Sequence, residues 1–208
     1  MTAELGLRAR KKAATRAALG HAAMLLVLEH GVDAVTVEDI AAAADVSPRT
    51  FHNYFPGKED AIVSPLTDLA QDAIAALRAR PDGEPAWDAV QHVVHDVLLP
   101  EDDPGRAEIF ALVRVIRSNP GLLAGQLCGL DTIEHDLAAV LAERTGTDAG
   151  RDLYPHLLAC AAGTAMRVVL ELWLDRDARP GGLAPMIDEA FTLMRAGLPE
   201  PRAVPART

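Results

Sequence analysis

Apolar residues recur along this chain at three- and four-residue spacing almost throughout, and no sustained strand-like alternation of Val, Ile and aromatics interrupts them. The pattern predicts an all-α protein of about nine helices, punctuated by Gly and Pro. A first helix is expected over 8–30, with Gly31 as its stop, two short helices within 36–55, and a long fourth helix opening at Lys58 and reaching about residue 80. Turns at PDGEP (81–85), PEDDPG (100–105), Asn119-Pro120, GTDAG (146–150) and RPGG (179–182) then separate a fifth helix (86–99), a sixth (106–118), a seventh (120–145), an eighth (151–175) and a ninth (184–196). Residues 198–208 hold three prolines and no periodicity, a composition expected of a disordered tail. The expected division is a head over 1–60, a body over 61–197 and that tail.

The segment 36–60, TVEDIAAAADVSPRTFHNYFPGKED, carries the most chemistry. Thr36 is a good N-cap, Asp39 stands at the acidic third position of a capping box, and Ile40 with Ala44 supplies a small apolar stripe. Asp45-Val46 stops that helix. Ser47 caps the next one, Pro48 takes the first helical position where its missing N–H costs nothing, and Phe51 and Phe55 fall four apart on one face. So tight a turn between two capped helices reads as a helix-turn-helix. The phenylalanine face belongs in a core. The opposite face presents Arg49, Thr50, His52, Asn53 and Tyr54, which can donate to phosphates or reach base edges in a major groove, and Thr36, Ser47 and Lys58 complete the set expected to meet double-stranded DNA.

The stretches AAMLLVLEHG (22–31), TVEDIAAAADVS and RTFHNYFPGKED together resemble the N-terminal DNA-binding domain of the TetR family of one-component transcriptional regulators. The resemblance implies an all-helical homodimer whose N-terminal domain binds a palindromic operator and whose larger C-terminal domain binds a small molecule that releases the DNA. Three positions depart from the family's habit: Val27 replaces an aromatic in the first helix, Asp45 the frequent Gly of the turn, and His52 the common Tyr of the recognition helix. Asp tolerates a left-handed turn, so these departures bear on base preference and not on the fold.

Charge distribution adds a docking direction. The net charge is −10, yet Arg8, Arg10, Lys11, Lys12 and Arg16 place five positive charges and no acid between residues 8 and 16. Residues 61–208 hold 13 Lys and Arg against 22 Asp and Glu, a balance of −9. An acidic protein with one basic tip is repelled by DNA in every orientation but the one presenting that tip. Arg8, Arg10 and Lys11 are accordingly expected at the phosphate backbone or a flanking minor groove. Apolar content of 50% in 208 residues supports a sizeable core, and Cys128 and Cys160 suggest no disulfide framework. Nothing in Met1 to Arg10 reads as a signal peptide and no uninterrupted apolar run is long enough to span a bilayer, so a cytoplasmic protein without a membrane partner is expected.

In the body, candidate effector contacts are Trp87, His92, His95, Phe110, Arg114 and Arg117. His92 and His95, with Asp96 beside them, lack the further ligands a metal needs, so neither metal nor cofactor is expected. The sixth helix sets Arg114 and Arg117 beside an apolar stripe that suits an anionic amphiphile; ordinary surface arginines paired with acids carry more weight on sequence alone. Leu157, Ala161, Ala165 and Val168 on the eighth helix, with Met186, Ala190, Leu193 and Met194 on the ninth, suggest a four-helix interface across a two-fold axis. An enzyme is disfavoured because no nucleophile elbow, phosphate-binding Gly-rich loop, zinc signature or paired catalytic carboxylates appear. The sequence-based reading is a ligand-responsive DNA-binding regulator, most simply a repressor released by a small hydrophobic or amphipathic effector. A helical enzyme and an architectural DNA-binding protein without a switch are the alternatives.

Overall fold

The computed structural model describes residues 2–98, 104–174 and 182–200, and among them the protein is all-helical, with nine α-helices and no strand. Most of the acidic turn expected at 100–105, most of the turn at 179–182, the tail beyond 200 and the Cys128 side chain lie outside the described residues.

Helix α1 (Thr2–His30) begins six residues before the expected start and ends at Gly31, whose φ of +83° supplies the left-handed stop. Helix α2 (Val37–Ala43) opens on the anticipated capping box, and Asp45 turns the chain at φ +54° where a glycine would commonly stand. Helix α3 (Pro48–Phe51) is shorter than the expected 47–55. Beyond Phe51 the bonding tightens to three-residue steps, Asn53 N–H donating to the Thr50 carbonyl and Tyr54 N–H to that of Phe51.

Helix α4 (Lys58–Ala79) links head and body, packing on α1 near its start and on α7 along its length. Helix α5 (Ala86–Val93) runs into a π-helical turn at Val94–Leu98, followed by α6 (Pro104–Ser118) and α7 (Pro120–Thr145). Asn119 caps α7, accepting from the Gly121 and Leu122 N–H groups, and Gly146 ends it at φ +67°. Helices α8 (Leu153–Leu174) and α9 (Ala184–Arg195) complete the body. By length and composition alone α8 could cross a membrane; in the fold it packs between α7 and α9.

Two apolar cores result, and they do not divide at residue 60. One joins Leu19, Met24, Val27, Ile40, Phe51 and Ile62 of the head to Leu112 and Ile116 of α6 and Leu122 of α7. The other lies wholly in the body, around Leu77, Val90, Leu141, Ala162, Ile187 and Phe191. An ionic knot closes the far end of α4: Arg80 donates to both oxygens of Glu84, His92 Nδ1 lies 2.6 Å from Glu84 Oε1, and Arg144 reaches the carbonyls of Arg80, Pro81 and Glu84. These bonds hold the Glu84 carboxyl well below its ordinary range, at about 2, with the Arg80 hydrogen bond the largest cause.

Candidate nucleic-acid interface and body sites

The recognition element is built from its caps outward. Ser47 Oγ accepts from the Thr50 N–H at 3.1 Å and lies 2.9 Å from Thr50 Oγ1. Thr36 Oγ1 accepts from the Asp39 N–H while its own hydroxyl donates to Asp39 Oδ2 at 2.6 Å, a pairing that lowers the Asp39 pKa. The hydroxyls of Thr36 and Ser47 therefore each cap one of the two helix starts. Phe51 and Phe55 are buried, their rings 5.7 Å apart, so the remaining face is turned outward. Arg49, His52 and Asn53 are exposed on it, and Tyr54 is half-buried against the head core.

Lys58, expected to meet DNA, and Arg16 of the basic cluster both make bonds within the fold. Lys58 Nζ donates to the carbonyls of Val32 and Val35 at 2.8 Å each, pinning the α1–α2 loop to the start of α4. Arg16, counted with the basic cluster, bonds Asp68 on α4 at 3.1 Å and lies over the Phe55 ring, 4.7 Å from its centre. Arg8, Arg10 and Lys11 are exposed, but on α1 itself. A helix is about 10–12 Å across and a minor groove about 6 Å wide, a mismatch that an extended arm would not have.

The body candidates need more correction. Trp87 packs on Phe191 with ring centres 4.9 Å apart and donates its indole N–H to the Phe191 carbonyl, a core position tying α5 to α9. Phe110 packs against Trp173 across the α6–α8 contact. His92 serves the Glu84 knot and His95 Nε2 meets Asp188 of α9 at 2.8 Å, so the pair diverges. Among the described residues no cluster of His, Cys, Asp or Glu has metal-binding geometry. Arg114 is exposed, and Arg117 lies 3.7 Å from Glu171, in keeping with the surface ion-pair reading. None of these six lines the cavity of about 280 Å³ that opens at the joint of α1, α4 and α6.

On the proposed interface, Leu157, Val168 and Leu193 are exposed, together with Leu153, Tyr154 and Leu172. Ala165 and Met186 are instead buried inside the subunit, and Ala190 and Met194 are half-buried against the body core. Ala161 is half-buried. Cys160 is exposed beside Glu134, and desolvation of its sulfur, reinforced by that carboxylate, pushes the thiol pKa up, which disfavours the reactive thiolate.

Residues 19–62 match the profile of the bacterial regulatory proteins of the tetR family, and residues 84–199 match that of the MftR C-terminal domain. The chain is also 33% identical over 199 residues to the HTH-type transcriptional regulator TcmR of Streptomyces glaucescens, a match covering 93% of this chain and 88% of that one. The chain is a TetR-family regulator. Solved structures agree on the fold of this TetR-family protein. A SmeT–triclosan complex aligns over 92% of this chain and all of that one with a TM-score of 0.59 at 17% identity. Thermus thermophilus FadR in complex with lauroyl-CoA covers 93% of this chain and 99% of its own, with a TM-score of 0.53 at 21% identity. Membership in the TetR family makes the protein a DNA-binding transcriptional regulator and not an enzyme.

Proposed function

We propose that this TetR-family protein is a cytoplasmic repressor that binds a pseudo-palindromic operator as a homodimer and leaves it on binding a small hydrophobic or amphipathic effector. The outward face of Arg49, His52 and Asn53 over the buried Phe51 and Phe55 carries the DNA part of the reading. Two such faces, one per subunit, would enter successive major grooves about 34–36 Å apart. The exposed leucines of α8 and α9 favour the dimer, since an exposed apolar stripe is what an isologous contact buries. The apolar effector class draws on the triclosan and lauroyl-CoA named with the structural relatives.

Release sets an energetic requirement. Moving operator occupancy from nearly full to nearly empty requires the effector to favour the non-binding state by about 5.5 kcal/mol in total. The direct test is selection of a duplex from random sequences, followed by titration of the selected and a scrambled duplex at matched salt. A preference of about 10³ or more is expected. Equal affinity for the two would leave only the architectural reading standing.

A further inference from the structure

Helices α1 and α4 cross antiparallel, in a register fixed by two contacts. Gly20 of α1 comes so close to α4 that an added Cβ would collide with Ser64 Oγ, and one turn away on each helix Arg16 Nη1 bonds both carboxylate oxygens of Asp68, at 3.1 and 3.4 Å. Between Ser64 and Asp68 the linker is weakened. Pro65 has no N–H for the Ala61 carbonyl, which accepts instead from the buried Ser64 hydroxyl at 3.0 Å. The Arg16–Asp68 pair therefore ties α1 to α4 on the far side of a turn that lacks a backbone bond.

The same guanidinium has a second neighbour. Its central carbon lies 4.7 Å from the middle of the Phe55 ring. Phe55 is 2% exposed, ends the recognition element with its N–H on the Phe51 carbonyl, and packs on Phe51 with ring centres 5.7 Å apart. One side chain of α1 thus touches both the last residue of the recognition element and the linker beyond its weak turn. The Arg16 and Asp68 side chains are 36% and 43% exposed, and an ion pair so open to water adds little to stability. Its effect is geometric: a carboxylate that holds a planar guanidinium by its donors keeps that group in place over the ring.

We propose that Arg16 is a positioning residue for operator recognition: held by Asp68, it bears on Phe55 and sets the recognition element against the linker without itself touching DNA. The inference rests on the reading above, in which the outward face of Arg49, His52 and Asn53 meets base edges. Hydrogen bonds to base edges need that face fixed, whereas attraction to phosphates tolerates a loose one. Loss of Arg16 therefore costs discrimination between duplexes and spares the sequence-independent part of the affinity.

The test titrates the full-length parent, Arg16→Gln, Asp68→Ala and the double variant against the selected and the scrambled duplex over a salt series. The ratio of the two affinities is the deciding quantity, because a change in folded fraction or in overall charge acts on both duplexes alike and leaves it unmoved. Arg16→Gln is expected to lower that ratio about tenfold, the scale of a partly desolvated cation–π contact, with the salt slope unchanged. Asp68→Ala should act in the same direction, and the double variant should discriminate no worse than Arg16→Gln alone, since both substitutions release one strap. An unchanged ratio in Arg16→Gln, or effects of the two substitutions that simply add, would overturn the proposal. A salt slope lower by about 0.9 per subunit would overturn it as well, by making Arg16 a phosphate contact. A parent protein that prefers neither duplex brings down the operator reading itself, an outcome distinct from a discriminating parent whose Arg16→Gln variant discriminates equally.

Discussion

At the scale of single residues, polar atoms divide into those the fold consumes and those it leaves outward. Asn53 is left outward, and Asn53→Ala is expected to cost about 1–3 kcal/mol and to relax preference at one half-site position, as read from affinities for single-base operator variants. Lys58 is consumed. Lys58→Ala strips two carbonyls of their donor, so thermal stability should fall by about 1–3 kcal/mol, and the folded fraction should keep its duplex specificity. Glu84 gives a pH signature. Its carboxyl titrates at about 2 in the fold against an ordinary 4.5, so the stability it contributes is complete above about 4.5 and disappears as pH falls toward 2. Glu84→Gln should therefore melt below the parent near neutral pH, with the gap closing between pH 4.5 and 2 in thermal scans.

At the scale of elements, the basic cluster matters because it rides on a helix. Arg8 and Lys11 fall three apart on an exposed stretch of α1, whose later turns are anchored by Leu19, Ala23 and Val27 in the head core. Deleting residues 1–11 should leave that anchor and the fold intact. The slope of log affinity against log salt should then drop by about 0.9 for every phosphate that each subunit no longer neutralises. An unchanged slope would mean that Arg8, Arg10 and Lys11 neutralise no phosphate. Helix α3 shows the opposite economy: four α-helical residues, two caps and one tightened turn suffice to present three outward side chains, because Phe51 and Phe55 clamp it from below.

For the whole molecule, the coupling between head and body runs through a shared core and not through α4 alone. Leu112 and Ile116 of α6 are fully buried among head residues, so any shift of α6 is felt at Met24 and Ile62. Such packing would let a ligand bound in the body, under the function proposed above, change the head. The proposed dimer is the second matter at this scale, and Leu157 is a better probe of it than Ala161. It is 63% exposed in the single subunit, so Leu157→Glu should keep the helical fold, sediment as a monomer and lose operator affinity, because like charges would face each other across the two-fold axis. A dimeric Leu157→Glu protein with full operator binding would move the interface elsewhere on the body.

Local chemistry by itself determined the helix-turn-helix. Thr36 with Asp39 and Ser47 with Pro48 act within four residues, and the stops at Gly31 and Gly146 need only a left-handed backbone, so no distant partner is required to recognise them. Period alone likewise determined the all-helical class. Partner choice was decided only in three dimensions: Arg16 finds Asp68 across 52 positions, Trp87 finds Phe191 across 104, and Arg144 closes on the carbonyls of Arg80 and Pro81 more than 60 residues before it. A helical repeat says which residues share a face and leaves open which helix that face meets. That is why Ala165 and Met186 turned inward, and why the cavity opened at the α1–α4–α6 joint and not beside Trp87.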